Sequence, residues 1–219
     1  MENNESKDDR QFADYGEIIQ GSPEWLSLRL GKITASKISD LMAKTKTGTA
    51  ASRGNYIAQL TAERLTGIVQ ESYKNLAMEH GTETEAEARE FYESETYNKV
   101  EQVGFINHPE IEMSGCSPDG LIGLDGGLEI KCPNTATHIN TLLTGKIPLK
   151  YIYQIQWCME CSGRKWWDYI SYDNRMPTPL RAFIKRIDRD QTLIDEIKSE
   201  VLKGLFEIDE TIKKLENLK

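Results

Sequence analysis

The chain is short of several things that define common protein classes. Of 219 residues, only 4 are cysteine, 7 proline and 3 histidine. So few cysteines at this length make no disulfide scaffold and point to a reducing, cytoplasmic setting. His80, His108 and His138 have no mutual metal-ligand spacing. No apolar run approaches bilayer length, and a mean hydropathy of -0.55 excludes a helical membrane protein. Residues 1–17 are acidic and polar, the opposite of a signal or transit peptide. Positive charge is scarce too, with 27 Lys and Arg against 35 Asp and Glu for a net charge of -8. Taken globally, that excess of carboxylates opposes a polyanionic partner.

The charge that is present is unevenly placed. Residues 29–53 carry six basic groups (Arg29, Lys32, Lys37, Lys44, Lys46, Arg53) against Asp40, and residues 131–186 carry nine against three acids. Between them, residues 79–130 hold thirteen Asp and Glu against Arg89 and Lys99. One reading is an ordinary solvated surface. The other is a polyanion-binding surface around a carboxylate cluster that needs cations.

Along the chain, residues 1–20 read as a flexible acidic tail. Residues 21–219 read as one domain: a helical part (21–95), a sheet core (96–188) and a C-terminal helix (189–219). Ser22-Pro23-Glu24 opens a helix that stops near Gly31. A second helix starts at Thr34 or Ser36 and runs to Ala43; 44–52 reads as a loop, and helices follow over 55–65 and 75–95. Strands are expected at 100–107, 112–117 and 127–132, with Asp125-Gly126-Gly127 as a hairpin turn. A helix over 149–162, strands at 165–172 and 181–187, and a helix over 190–218 complete the pattern. The last helix has apolar residues at 194, 197, 201, 205, 208, 212, 215 and 218, a single stripe suited to packing on the core. The order predicts an α/β (α+β) fold with a central mixed sheet flanked by helices.

The informative stretch is Ser117-Pro118-Asp119-Gly120 followed by Leu128-Glu129-Ile130-Lys131-Cys132. Residues two apart in a strand share a face, so Glu129 and Lys131 project together while Leu128, Ile130 and Cys132 point to the core. Folding back at 125–127 brings Asp119 beside Glu129. Two close carboxylates repel, and a hard divalent cation such as Mg²⁺, with Mn²⁺ as a substitute, resolves that repulsion. Mg²⁺ there activates water and polarises a phosphoryl oxygen, and Lys131 positions the water or neutralises phosphate charge. The plain alternative is a surface ion pair of Glu129 with Lys131. On the helix over 149–162, Tyr151 and Gln154 share a face suited to orienting water or phosphate. Glu85 lies on a helix face shared with Ala88 and Tyr92.

Residues 25–36 (WLSLRLGKITAS) resemble the opening motif of the phage lambda exonuclease and YqaJ-type viral recombinase family. Ser117-Pro118-Asp119-Gly120, Leu128-Glu129-Ile130-Lys131-Cys132-Pro133 and Tyr151-x-x-Gln154-x-Gln156 are similar to its later motifs in the same order, across residues 22–188. The resemblance implies a restriction-endonuclease-like core and a Mg²⁺-dependent exonuclease that digests one strand of duplex DNA from the 5′ end, in the host cytoplasm if phage-encoded. It implies that Asp119, Glu129 and the Ile130 carbonyl hold metal, that Lys131 is catalytic, and that Glu85 and Gln154 support the site. It also implies a ring-shaped homotrimer and a single-strand annealing protein as partner. Pro109 stands where the lambda enzyme has an aspartate, so no ligand is assigned there.

Thr34 and Ser36 at a helix start, with Arg29 before them and Lys46 after, offer N–H groups, hydroxyls and cations to an anion. In the family, such positions recognise a 5′-terminal phosphate. Lys46 replaces an arginine there and gives up bidentate contact. Thr34 and Ser36 are also plausible capping residues. Cys158-x-x-Cys161, with Cys116 and Cys132, invites a metal-cluster reading, but helix and core-face positions favour buried thiols. Trp157, Trp166 and Trp167 read as packing residues. Two other functions fit the same motifs: a structure-specific or restriction-type endonuclease, and a non-catalytic DNA-end-binding adaptor.

Overall fold

The computed structural model describes residues 18–45, 48–70 and 76–218. Residues 1–17 of the expected tail lie outside these. Gln20 is fastened to the body, its Nε2 donating to Val103 O at 3.0 Å and Pro118 O at 2.7 Å.

Helix α1 (Pro23–Arg29) begins where Ser22 Oγ accepts from Trp25 N at 3.2 Å, with proline in its first turn. Strand β1 (Ile33–Thr34), a tight 3₁₀ turn (Ala35–Lys37) and α2 (Ile38–Met42) follow. The expected loop carries a small hairpin, β2 (Lys44–Thr45) with β3 (Gly48–Thr49). Helix α3 (Ala51–Thr66) starts four residues earlier than expected and ends at Gly67, whose φ of 67° suits a left-handed cap. Helix α4 (Leu76–Thr96) precedes strands β4 (Val100–Glu101), β5 (Ile106–Asn107), β6 (Ser114–Cys116), β7 (Gly120–Ile122) and β8 (Gly126–Lys131). Then come α5 (Thr135–Thr144), α6 (Leu149–Ser162), β9 (Trp166–Tyr172), β10 (Ala182–Asp188) and α7 (Gln191–Glu216).

The mixed α/β fold expected from sequence is the fold found. Its central sheet has the order β10-β9-β8-β7-β4, with β8 and β9 parallel and the other pairs antiparallel. A second sheet, β1-β6-β5, lies beside it. Both faces of the central sheet are covered. On one face, Leu121, Trp167 and Tyr169 pack with α2, α3, α6 and α7. On the other, Leu128, Ile130, Ile170 and Tyr172 pack with Ala88 and Tyr92 of α4. Helix α7 buries Ile194, Ile197, Val201 and Ile208 at the expected spacing, and Gly204 between them admits Leu41. The stripe ends earlier than expected, since Leu215 and Leu218 are 42% and 81% exposed. No helix among the described residues is long and apolar enough to cross a membrane.

Further elements differ from the sequence reading around the central sheet. The strand expected over 100–107 is two strands in two sheets, β4 and β5. Between them the chain crosses from one sheet to the other, with Gly104 so close to Ile18 that a Cβ would sit 2.4 Å from its carbonyl oxygen. The hairpin turn is Gly123-Leu124-Asp125, since Ile122 pairs with Gly126, and Gly123 takes the positive φ of 51°. Gly126 and Gly127 are strand residues, small because the rings of Trp166 and Trp167 press on them. Strand β7 and helix α5 are additional; α5 is capped by Asn134, whose side chain accepts from Thr137 N, and by Gly145 at φ 61°.

Candidate active site

The β7–β8 hairpin positions the carboxylates. Gly120 pairs with Leu128, so one further step of the same register sets Asp119 opposite Glu129. Asp119 Oδ2 accepts from Ile130 N at 2.6 Å. The N–H and C=O of a strand residue face the same edge, so the Ile130 carbonyl lies on the Asp119 side. Glu129 pairs with Tyr169 across β8 and β9 and shares its face, the one covered by α6. Glu129 is fully buried, at 0% exposure. Its Oε1 meets Lys131 Nζ at 2.5 Å, and among the described residues no donor hydrogen-bonds its Oε2. The ion pair is therefore present but lies inside the fold, not on a solvated strand face.

Such a carboxylate is costly to bury, and burial favours its protonated form. Burial pushes the Glu129 carboxyl up to about 8 against the pull of Lys131, and the neighbouring Asp119 adds to the rise. Burial also raises Asp119, opposed by Lys131 and by the Ile130 amide. Lys131 is held as a cation: Glu129 and Asp119 raise its amine although burial lowers it. On α4, Glu85 lies one turn before buried Ala88 and pairs with Arg89 at 3.0 Å. Burial, followed by Asp119, brings Glu85 to about 6. Three carboxylates thus sense one another at one end of the central sheet.

Helix α6 closes this end from above. Tyr151 stacks on Tyr169 with ring centroids 5.8 Å apart, and Lys131 Nζ lies 5.2 Å from the Tyr151 centroid. Gln154, one turn further along α6, is buried. Its neighbour Gln156 is structural, bonding Asp188 O at 2.9 Å and Asp190 N at 2.9 Å. The structure therefore brings together Asp119, Glu129, Ile130 and Lys131, with Glu85 and Tyr151 at their margin. Among the described residues, no three His, Cys, Asp or Glu side chains form a group spaced to hold a metal. The oxygens gathered here are two carboxylates and a carbonyl. Hard oxygens, with a buried carboxylate oxygen lacking a donor, fit a divalent cation of the Mg²⁺ type.

A second feature adjoins the first. Arg29, Thr34 and Ser36 line one cavity of ≈ 440 Å³, together with Trp25, Lys32 and Lys37. Arg29 stacks over the Trp25 ring at 4.1 Å, and its Nη1 donates to Ser117 Oγ at 2.9 Å. Trp25 Nε1 donates to the same oxygen at 2.9 Å. Thr34 does not act as expected of a helix start: it lies in β1, its N–H donates to Tyr56 Oη at 3.1 Å, and its side chain makes no capping bond. Lys46 lies outside the described residues. Sequence reasoning passed over Ser117, although it stands inside the Ser117-Pro118-Asp119 motif, and Lys32, a lysine held by Asn107 Oδ1 at 2.6 Å.

The remaining signals are structural. Cys116, Cys158 and Cys161 are buried free thiols. Burial raises Cys116 and Cys161, and a bond with Cys116 followed by burial raises Cys158. Trp157 and Trp167 are fully buried, while Trp166 lies under the Arg186 guanidinium at 3.5 Å. His108 stacks on Trp157 and caps the Glu110 and Ile111 amides; His138 bonds Ser171 Oγ and Leu180 O. The side chain of His80 lies outside the described residues.

The mixed α/β fold, with two acids and a lysine at one end of its central sheet, is the fold of solved exonuclease structures. More particularly, the chain belongs to the family of the YqaJ-like viral recombinase domain, whose model matches residues 24–165. It is similar to the alkaline exonuclease LHK-Exo of Laribacter hongkongensis at 48% identity, with a TM-score of 0.84 over 90% of this chain and 97% of that one. The structure of LHK-Exo in complex with dAMP matches at 49% identity and a TM-score of 0.85, with the same coverage. A phage-related exonuclease from Haemophilus somnus 129PT shares the fold at 16% identity and a TM-score of 0.66, over 84% of this chain and 96% of that one. No curated protein matches the chain.

Proposed function

We propose that this protein is a Mg²⁺-dependent 5′→3′ exonuclease of double-stranded DNA, leaving 3′ overhangs for recombination by strand annealing. The observation that carries this reading is the pairing of half-buried Asp119 with buried Glu129, beside Lys131, tied through the Arg29–Ser117 hydrogen bond to the cavity that Arg29 lines. Kinship with an alkaline exonuclease at 48% identity supports it.

Asp119, Glu129 and the Ile130 carbonyl would hold the ion, which when bound supplies Lewis-acid polarisation of the scissile phosphate and a more acidic water. Lys131 stays cationic beside both carboxylates and offers its ammonium to charge developing on the phosphate. Tyr151 fixes that ammonium from above, and Gln154 orients water or a phosphate oxygen. Glu85, poised near 6, supports the site by exchanging a proton close to neutrality. The terminal 5′-phosphate enters the cavity of Arg29, Thr34 and Ser36, where the guanidinium pairs with it and the hydroxyls donate; Lys46 adds a further cation. The protein works as a ring-shaped homotrimer with an annealing protein as partner, in the cytoplasm.

The test uses linear duplex DNA with one labelled strand, with and without 5′-phosphate, in Mg²⁺. Mononucleotides released from the 5′ end by wild type, and not by Asp119→Ala or Lys131→Ala, are expected. Cleavage of covalently closed circles would indicate the endonuclease instead. End binding without nucleotide release would indicate the adaptor.

A further inference from the structure

Arg164 is buried, at 5% exposure, in the residue after Gly163, which ends α6. Its Nη1 lies 2.7 Å from Gly123 O, 2.7 Å from Gly126 O and 3.2 Å from Ile122 O. The adjacent backbone takes the next carbonyl of the turn, with Lys165 N and Trp166 N donating to Asp125 O at 2.8 and 3.2 Å. Only Leu124, at the exposed tip, is left out of this docking. The β7–β8 turn is thus fastened to the junction of α6 and β9, and Gly126 and Gly127 lie flush against the Trp166 and Trp167 rings.

A hairpin's register is set at its turn, and a slip of one residue sends every side chain to the opposite face. In this hairpin the register sets Asp119 opposite Glu129 and keeps Glu129 under α6. The junction that holds the turn also ends the helix carrying Tyr151 and Gln154. We infer that Arg164 is a positioning residue for the carboxylate pair, clamping the β7–β8 turn and thereby the spacing at which Asp119 and Glu129 present their oxygens. The inference rests on the metal-holding role given to these two acids above. Arginine suits the task because its charge stays fixed and a cation bonds carbonyls strongly.

Mn²⁺ affinity, measured without DNA by electron paramagnetic resonance, tests this on wild type, Glu129→Gln, Arg164→Lys, Arg164→Met and Ile208→Val. Outer partners of a metal site commonly change affinity by about 10- to 100-fold, and Arg164→Met is expected to lose ~10-fold and Arg164→Lys less. The KM for 5′-phosphorylated duplex stays within about twofold of wild type, because the Arg29 cavity lies on other elements. Ile208→Val, a core truncation in α7, lowers thermal stability and keeps wild-type Mn²⁺ affinity. If Arg164→Met does not fold, Arg164→Lys carries the test. Wild-type affinity in the folded Arg164 variants, with binding lost in Glu129→Gln, overturns the inference alone. A matching loss in Ile208→Val also overturns it, by reducing the effect to stability. Wild-type affinity in Glu129→Gln overturns the metal reading beneath it.

Discussion

Arg29 Nη1 donates to Ser117 Oγ at 2.9 Å, and Ser117 stands two residues before Asp119. The cationic cavity and the carboxylate pair are therefore joined through one side-chain bond and two peptide units. Such a link holds the two features at a fixed spacing, as an enzyme that anchors a terminal phosphate and cuts nearby requires. A charge-assisted contact is worth roughly 1.5–3 kcal/mol, which is about 10- to 100-fold in binding. Arg29→Gln is expected to lower kcat/KM on 5′-phosphorylated duplex by that factor and to leave 5′-hydroxyl ends nearly unaffected. Competition between the two substrates in one reaction measures the preference directly. Equal losses on both ends would remove Arg29 from phosphate recognition.

Lys131 and Asp119 separate chemistry from folding. Lys131→Met keeps the stem that packs near Tyr151 and deletes the charge, so the fold survives while the developing charge loses its partner. A drop in kcat of ~10²–10³-fold is expected, with KM for DNA little changed. Asp119→Asn retains an acceptor for the Ile130 amide but loses a negative ligand, so more Mg²⁺ is needed for half-maximal rate. Single-turnover rates over a Mg²⁺ series distinguish the two variants. The pattern fails if Lys131→Met shifts the Mg²⁺ requirement and Asp119→Asn does not.

What was readable in the sequence follows from the range of the interactions involved. Helix α6 came out at Leu149–Ser162 and α7 close to its full length because their stripes and caps are local signals. The site motifs were legible because Asp119, Glu129 and Lys131 lie within 13 residues and one hairpin. Helix α5 stayed hidden: with Thr135, Thr137, Thr141 and Thr144 its propensity is weak, and only the Asn134 and Gly145 caps mark it. The turn was misplaced by two residues for a different reason. Gly126 and Gly127 look like turn glycines locally, but what keeps them small is Trp166 and Trp167, about 40 residues on. The Arg29–Ser117 contact spans 88 residues, and no local rule sees it.

Buried Glu129 and half-buried Glu85 make stability depend on pH and metal together. Glu129 is raised from 4.5 to about 8, so between those values the folded state holds a proton that the unfolded chain has released. Its contribution is complete below the unfolded value and is lost as pH rises through about 8. Glu85 acts in the same direction, with its loss centred near 6. The metal-free Tm should fall between pH 5 and 8, and Glu129→Gln should flatten that fall. On the proposed metal role Mg²⁺ would bind the ionised set, so it should raise Tm more at pH 8 than at pH 5. Calorimetry with chelator and with Mg²⁺ measures both slopes. A Mg²⁺ increment independent of pH would contradict the assignment of Glu129 as a ligand.

Gly127 tests the packing beneath the hairpin apart from the chemistry. A Cβ placed there would lie 2.4 Å from the Trp167 ring, which is fully buried. The ring has nowhere to retreat, so either β8 shifts or Trp167 leaves its rotamer. Overpacking of this kind costs about 1–3 kcal/mol. For a chain of this length that lowers Tm by about 2–4 °C per kcal/mol. Gly126→Ala meets Trp166 instead, which is only partly buried and has the Arg186 guanidinium stacked on it, a neighbour able to move. Gly127→Ala should therefore melt lower than Gly126→Ala. The reverse order would show that the Trp166–Arg186 stack, and not the buried Trp167, is the rigid side of the hairpin's seat.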